Sequence, residues 1–243
     1  MVDRRRTLER GAQMSEELDS ISEVAKTTGK VVDAGREFGG FISRYISGSM
    51  KQAMGIFEDK LSYLRWENQV SLIKKAEAHL QKLGLTEPSR SLPLKIAIPL
   101  FQAASLEDDD SLQDLWAALL ANGANASSGI ELRRTYIDLL SSFTSLDAAI
   151  MKAIYSAAPS DHLHDGFWTR SLPDLIIPAM LLSKDESSDD PTEEVKLSLA
   201  NLERLGLVRV DDAFYGGKLF SRAFETILGR DIFRACTLQG VEQ

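Results

Sequence analysis

The chain has little of what disulfide-bonded and membrane-spanning proteins are built from. Its 243 residues include one cysteine, Cys236, and three histidines. A single cysteine cannot form an internal disulfide and suits a reducing compartment. No run reaches the roughly 18 uncharged apolar residues of a spanning helix, and no signal peptide precedes the basic cluster at residues 4–6. We therefore expect a cytoplasmic protein.

Sequence motifs of common enzymes and metal sites are also missing. The chain contains no G-x-S-x-G elbow, no P-loop, no H-E-x-x-H and no G-x-G-x-x-G pattern. His162 and His164 stand two apart, but a structural zinc needs four ligands, so a solvated loop is the better interpretation. His79 is expected on the surface of an amphipathic helix. The sequence thus predicts a non-enzymatic protein with no catalytic residue, no cofactor and no metal.

The composition that is present is typical of a folded protein, with 44% hydrophobic and 26% charged residues. The net charge of -8 is uneven, because residues 1–75 carry 13 basic and 11 acidic residues whereas residues 161–243 carry nine and 15. Apolar residues recur mainly at the helical period of about 3.6. The predicted fold class is mainly α.

Four parts of the chain differ in texture. Residues 1–19 are polar without an apolar face, which predicts a flexible N-terminus. Residues 20–60 are predicted as a long amphipathic helix, or two in series, punctuated by glycines. Residues 61–160 are predicted as a helical core. Residues 161–243 are predicted as a winged-helix-like domain with a small β-hairpin.

The glycine-punctuated segment is the first candidate interaction surface. Gly35 and Gly39 have a spacing that lets helix backbones approach closely. The alternative is that the glycines mark breaks between shorter helices. Basic residues outnumber acidic ones over residues 21–57, which would suit a peripheral contact with anionic lipid on activation. Helix packing within a dimer or against the rest of the protein is an equally good interpretation. The candidate residues are Gly35, Phe38, Gly39, Ile42 and Arg44.

Helical patterns divide the predicted core. A helix is expected over residues 62–85 with Gly84 at its C-terminal cap, followed by a proline-containing linker and a short apolar helix at Leu94–Ala104. The stretch "NGANASSG" at residues 122–129 is expected to be a loop. Further helices are expected over residues 130–143 and 145–158, the second beginning at Ser145.

Four consecutive acids, Glu107, Asp108, Asp109 and Asp110, precede an apolar run. Carboxylates can bind a hard cation. However, adjacent residues on a helix project about 100° apart, whereas a calcium loop alternates its ligands. Carboxylates in a first helical turn instead satisfy free N–H groups and oppose the helix dipole. We therefore expect a helix start followed by an apolar stripe of Leu112, Leu115, Trp116, Leu119 and Leu120.

The last part of the chain follows the order of a winged helix. A helix is expected over residues 171–183, capped by Ser171, and a second from Asp190 to Leu205 that stops at Gly206. A strand-like run, a hairpin around Gly216 and Gly217, and a helix over residues 227–236 complete the chain.

A winged helix raises the alternative of a DNA-binding transcriptional regulator. Arg209, Lys218 and Arg222 near the hairpin favour it. The second helix carries acids such as Glu193 and Glu194, however, and phosphate contacts supply most nucleic-acid affinity. We therefore expect a protein partner or a homo-oligomer and no nucleic acid.

Two segments together resemble the Abi-alpha family of bacterial abortive infection proteins. They are "IPLFQAASLEDDDSLQDLWAALLANGAN" and "YIDLLSSFTSLDAAIMKAIY". "NLERLGLV" and "LGRDIFRAC" are similar to the second half of the family, whereas "TSLDA" departs from its commoner serine-proline pairing. The matching positions are Ile98, Pro99, Leu100, Ala103, Ala104, Ser105, Glu107, Asp108, Asp109, Leu112, Gln113, Leu115, Trp116, Leu119, Leu120, Ala121, Asn122, Leu146, Asp147 and Ala148.

This resemblance implies a role in phage defence, in which infected cells arrest or die. It carries over no catalytic residue. The expected function is therefore a non-enzymatic abortive infection protein that acts through protein or membrane contacts.

Overall fold

Seven helices form most of the part of the chain that the structure describes. The computed structural model describes residues 40, 44–47, 66–156, 166–181 and 189–238. The helices are α1 (Trp66–Lys82), α2 (Leu94–Ala104), α3 (Asp110–Ala124), α4 (Arg134–Leu140), α5 (Ser145–Ser156), α6 (Glu193–Arg204) and α7 (Ile227–Ala235), with 3-10 turns at Ala126–Ser128 and Ala179–Leu181. The predicted mainly α class is confirmed for these residues.

Two helices end at glycines that the sequence predicts as stops. Gly84 has φ +75°, and the N–H groups of Gly84 and Leu85 donate to the carbonyls of Gln81 and Leu80 at 2.9 Å each. Gly206 has φ +76° and ends α6 with the same pair of hydrogen bonds. A left-handed residue after the last turn costs glycine little, and it lets the final carbonyls find donors.

Helix α3 lies at the centre of the described residues. Its buried positions run on all sides, from Leu112 to Ala124, and Trp116 is among the largest fully buried side chains. A helix that is apolar nearly all round is stable only when other elements cover it. Helices α1, α2, α5 and α7 pack against it. Of the predicted apolar stripe, Leu112, Trp116, Leu119 and Leu120 are buried, and Leu115 is partly buried against the core.

A small antiparallel sheet accompanies the last helices. It has the strand order β4-β3-β6-β5, with β3 (Phe167–Trp168), β4 (Ile177–Pro178), β5 (Val208–Asp212) and β6 (Lys218–Glu225). Strands β5 and β6 form the predicted hairpin, and Gly216 and Gly217 at its tip have φ +88° and +93°. Left-handed residues at a hairpin tip favour glycine.

Several predicted boundaries are wrong, and the helix predicted over residues 130–143 spans only Arg134–Leu140. Residues 171–181 form a turn, β4 and a 3-10 turn rather than a helix. Pro178 explains this, because it has no N–H and disfavours helical backbone at the residue before it. Helix α6 begins at Glu193 with Thr192 as its cap, while the Asp190 carboxylate pairs with Lys196 at 2.9 Å. The predicted loop at residues 122–129 starts late, because α3 continues to Ala124.

A short piece of the predicted amphipathic segment is packed into the body. Tyr45 and Ile46 are buried, and β1 (Ile46–Ser47) pairs in parallel with β2 (Leu92–Pro93). A single uninterrupted helix over residues 20–60 is therefore wrong at Ile46 and Ser47. The rest of that segment, apart from residues 40, 44 and 45, lies outside the described residues, as does the predicted flexible N-terminus.

One hydrophobic cluster joins the predicted core to the predicted winged-helix-like part. Leu72 and Trp116 from the first belong to the same cluster as Leu199, Val210 and other residues of the second. Within the described residues, no helix is both long and apolar enough to cross a membrane.

We expect Trp116→Ala to lower the free energy of unfolding by about 3–5 kcal/mol, because it empties a fully buried volume. Urea denaturation followed by circular dichroism measures this change. Leu197→Ala is the matched control, because Leu197 is 72% exposed on α6 and should change stability by about 0.5 kcal/mol or less. Equal losses in the two variants would contradict the central position of the indole.

Candidate functional site

The acidic segment before α3 is the first candidate site, and Asp109 is its N-cap. The Asp109 Oδ1 atom accepts hydrogen bonds from the N–H groups of Ser111 at 2.9 Å and Leu112 at 3.0 Å. These are among the first N–H groups of the helix, which have no partner inside it. The predicted helix start is confirmed, with Asp109 as the capping residue.

The other three acids face different partners. The Glu107 carboxylate accepts the Asp109 N–H at 2.9 Å, and the Asp108 carboxylate accepts from Asn68 Nδ2 at 3.1 Å. The Asp110 carboxylate accepts from Lys75 Nζ at 2.6 Å, and this lysine also lies 3.5 Å from Asp114. The carboxylates therefore diverge. In the described residues, no three His, Cys, Asp or Glu side chains are arranged to hold a metal.

Hydrogen bonding shifts the acidity of the cap. The hydroxyls of Ser111 and Ser145, followed by the Leu112 N–H, stabilise the ionised form and lower the pKa of Asp109 to about 2. Ser145 lies at the start of α5, and its Oγ donates to Asp109 Oδ2 at 2.7 Å. One carboxylate thus holds the starts of two helices together.

A second buried carboxylate connects α5 to α6. Asp147 and Thr144 form a reciprocal capping box, in which each side chain accepts the N–H of the other residue at 2.8 and 3.1 Å. Asp147 is 1% exposed and also accepts from Ser198 Oγ and, at 2.9 Å, from Asn201 Nδ2. Thr144 therefore caps the helix that Ser145 was predicted to begin.

The far end of α3 is satisfied by an arginine. Arg90 donates from Nε to the carbonyl of Gly123 at 2.8 Å, and from Nη2 to the carbonyls of Asn122 at 3.3 Å and Ile130 at 2.5 Å. Its backbone N–H donates to Ala124 at 2.9 Å. A cation at a helix C-terminus is favoured by the helix dipole, so Arg90 complements Asp109.

Asn122 links α3 to the last helix. Its Nδ2 donates to the carbonyls of Ala235 at 2.9 Å and Thr237 at 2.8 Å, and Asn122 is 2% exposed. These carbonyls belong to the end of α7, where a helix has acceptors without internal donors. Cys236, between them, is buried, and desolvation raises the pKa of its thiol to about 12.

His79 differs from its prediction. It was expected at the surface, but it is 8% exposed, and neither ring nitrogen has a hydrogen-bond partner. Burial lowers the pKa of His79, although Asp114, whose Oδ1 lies 3.8 Å from Nε2, acts in the opposite direction. The surrounding apolar face of α1 explains the burial. His162 and His164 lie outside the described residues.

An open cleft of about 410 Å³ lies between α2, α3 and α4. The indole of Trp116 forms part of its floor, Leu106 is 67% exposed, and Arg134 pairs with Asp138 at 2.9 Å. The cleft therefore offers apolar area with one ion pair. The remaining lining residues are Pro99, Gln102, Ala103, Glu107, Ile137 and Ser141.

The predicted basic residues near the hairpin are held by neighbours. Lys218 Nζ lies 2.9 Å from Glu203 and 2.8 Å from Asp212. Arg222 Nε donates to Asp211 at 2.8 Å. The guanidinium of Arg209 lies 4.4 Å from the ring centre of Phe224. Two of these three cations are thus already neutralised by carboxylates.

Of the predicted interaction residues in the amphipathic segment, the structure describes Arg44 alone. Its Nη2 lies 2.6 Å from Glu77 on α1, so it anchors the segment to the body. Gly35, Phe38, Gly39 and Ile42 lie outside the described residues.

Sequence reasoning missed Asn68 and Arg90. Asn68 Nδ2 donates to the carbonyls of Ser105 and Glu107, and Arg90 reaches across a similar separation. Neither has a local sequence signal, because their partners lie more than 30 residues away.

One of three comparisons with known proteins finds a match. A family model described as abortive infection alpha matches residues 67–237, which is well over half of the chain. No curated protein and no solved structure matches. The matched region contains both ends of α3 and the contact with α7.

We expect Asp109→Ala to lower the free energy of unfolding by about 1–2 kcal/mol, because the first N–H groups of α3 lose their acceptor. Asp109→Asn keeps a capping oxygen and should cost less. Urea denaturation at pH 7 compares the two. An asparagine variant as unstable as the alanine variant would contradict the capping role.

The stability of wild type and of the Asp109→Asn variant should depend differently on pH. The folded-state pKa of Asp109 is lowered from 3.8 to about 2, so its charge stabilises the fold above about pH 4. This contribution is lost as the pH falls towards 2. The difference in unfolding free energy between wild type and Asp109→Asn should therefore shrink over that range. A difference that stays constant would contradict the assignment.

We expect Asn122→Ala to loosen α7, because its last carbonyls lose a buried donor at a cost of about 1–3 kcal/mol. The thiol of Cys236 should then react with a disulfide reagent about tenfold faster under native conditions. Arg204→Ala, on the exposed side of α6, is the control. Unchanged reactivity in the Asn122 variant would show that the amide does not hold α7.

Proposed function

The chain belongs to the abortive infection alpha family, and we propose that it acts in phage defence as a non-enzymatic protein, through contacts of its surfaces. The use of the acidic motif carries this proposal. Asp109 caps α3, and Glu107, Asp108 and Asp110 bind a backbone N–H, Asn68 and Lys75. These carboxylates stabilise the fold through their structural partners. This supports a function that depends on surface contacts rather than on catalysis by the acidic motif.

A protein partner or a second copy of the chain is the contact we favour. The open cleft beside Trp116 supports it, because apolar area around one ion pair suits a side chain of a partner. In this proposal the protein is cytoplasmic and reaches its partner there.

A peripheral membrane contact through residues 21–57 is the second form of the same proposal. One point of this segment is attached to the body of the protein at residues 44–47, because Tyr45 is buried and Arg44 pairs with Glu77. In this proposal the basic residues on either side meet anionic lipid when defence is activated. Those flanking residues lie outside the described ones.

The order of α6, β5 and β6 supports a winged-helix interpretation of the last part of the chain. We do not extend it to DNA binding. Lys218 and Arg222 pair with carboxylates, and Glu193 and Glu194 are exposed on α6. Two of the three basic residues near the hairpin are thus held by carboxylates, whereas phosphate contacts need free cations.

A plaque assay tests the proposed role. Cells that carry the gene should form fewer phage plaques than cells without it. The double variant Asp109→Asn, Asp114→Asn should keep this protection if it folds, because neither carboxylate takes part in turnover. Equal plaque numbers with and without the gene would contradict the role in defence. Loss of protection in the folded double variant would contradict the non-enzymatic proposal.

A further inference from the structure

The hairpin of β5 and β6 ends in two exposed aromatic side chains. Phe214 is 93% exposed and Tyr215 is 96% exposed. Their rings meet edge to face, with centres 5.0 Å apart. Large aromatic side chains are normally buried, because each removes 150–250 Å² from water, roughly, when it is covered. A pair that projects together therefore indicates a contact surface.

The tip itself carries no charge. Residues 213–217 are alanine, phenylalanine, tyrosine and two glycines. Within this turn, the Gly216 N–H donates to the Ala213 carbonyl at 3.0 Å, and the Ala213 N–H donates to the Gly217 carbonyl at 3.1 Å. Part of the backbone is thus satisfied internally, which lowers the cost of leaving water.

The charges behind the tip cancel. Lys218 pairs with Glu203 and Asp212, and Arg222 pairs with Asp211. With Arg204, Arg209 and Glu225, four basic and four acidic side chains lie on the hairpin and at the end of α6. A surface of this kind neither attracts nor repels an anionic partner strongly.

The area of the tip separates two kinds of partner. Two aromatic side chains cover roughly 300–500 Å² together, whereas a specific protein interface takes about 800 Å² from each partner. The tip alone is too small for a stable protein interface. It is large enough to sit at a membrane interface, where amphipathic rings are favoured at headgroup level.

We propose that the Phe214–Tyr215 tip inserts into the headgroup region of a phospholipid bilayer without requiring anionic lipid. This contact differs from the one proposed for residues 21–57, which depends on basic residues and anionic headgroups. It adds a second membrane contact in the C-terminal part of the sequence, whereas residues 21–57 lie in the N-terminal part. The pairing of β5 with β6 supplies the orientation, and the tyrosine hydroxyl stays within reach of water.

Flotation of the full chain with phosphatidylcholine vesicles tests the proposal. The wild type should float, and the double variant Phe214→Ser, Tyr215→Ser should show a partition coefficient about tenfold lower or more. Ile227→Ser is the matched control, because Ile227 is 91% exposed but lies at the start of α7. It should float like the wild type. Circular dichroism checks that both variants fold.

Anionic vesicles separate the two membrane contacts. Adding phosphatidylglycerol should leave the ratio between wild type and the double variant unchanged. A wild type that stays soluble with phosphatidylcholine, or a double variant that floats as well as the wild type, would overturn the proposal. Binding to anionic vesicles alone, equal in both proteins, would also overturn it and would assign the contact to the basic segment.

The plaque assay keeps this proposal separate from the proposed function. If vesicle binding fails while protection remains, the tip proposal is wrong and the defence role stands. If protection needs the aromatic pair but the wild type binds no vesicles, the tip has a protein partner, and the lipid proposal is wrong.

A fluorescent probe locates the tip. Tyr215→Cys can be labelled selectively, because the native Cys236 is buried and its thiol pKa is raised to about 12. The probe should be quenched by quenchers attached to lipid headgroups. The same probe at Ile227→Cys should not be quenched. Equal quenching at the two positions would overturn the assignment to the hairpin.

Discussion

The described structure depends on the polar side chains that cap both ends of α3, its most buried helix. The N-terminal end is exposed at Asp110 and Ser111, whereas the C-terminal end at Ala124 is buried. A helix exposed to water can leave its terminal N–H and C=O groups to the solvent, but a helix covered by its neighbours cannot. Here the Asp109 carboxylate satisfies the first turn, and the Arg90 guanidinium satisfies the last. Trp116 lies between them with 1% of its surface exposed. These polar contacts therefore make the central apolar packing attainable.

The same constraint separates scaffold from surface. The carboxylates of Asp109 and Asp147 cap helix starts, and the amide of Asn122 binds carbonyls at the end of α7. The candidate contact surfaces lie elsewhere. They are the cleft beside Trp116, the aromatic hairpin tip and the segment anchored at Tyr45. A protein with this arrangement can change its surface contacts without disturbing its core.

Much of the fold could be predicted from local sequence patterns. Gly84, Gly206 and the hairpin glycines were predictable, because their stop and turn roles depend on backbone conformation within a few residues. The acidic helix start was predictable for the same reason. Residues 171–181 were not, because a serine cap followed by proline matches a helix start until Pro178 is weighed against it. His79 was misplaced because the amphipathic pattern does not show which neighbour covers a helix face.

The candidate site was less predictable than the fold. Arg90 and Asn68 act on partners that lie far along the chain, so no spacing in the sequence marks them. Thr144 and Asp147 have the spacing of a capping box, but the contact of Asp147 with Ser198 has no local signal. The aromatic pair at Phe214 and Tyr215 was visible in the hairpin sequence. Its exposure was not, since an alternating pattern cannot say whether a tip projects or folds back. Surface roles of this kind depend on tertiary context.

The amide of Asn122 meets carbonyls that are 113 and 115 residues further along the chain. During synthesis, α3 leaves the ribosome long before α7. The Asn122 side-chain amide therefore has no α7 carbonyl to bind until α7 has been made. Contacts this distant in sequence form late. A nascent chain therefore stays incomplete until nearly all of it has been made. Truncated products of translation would therefore lack the contact between α3 and α7.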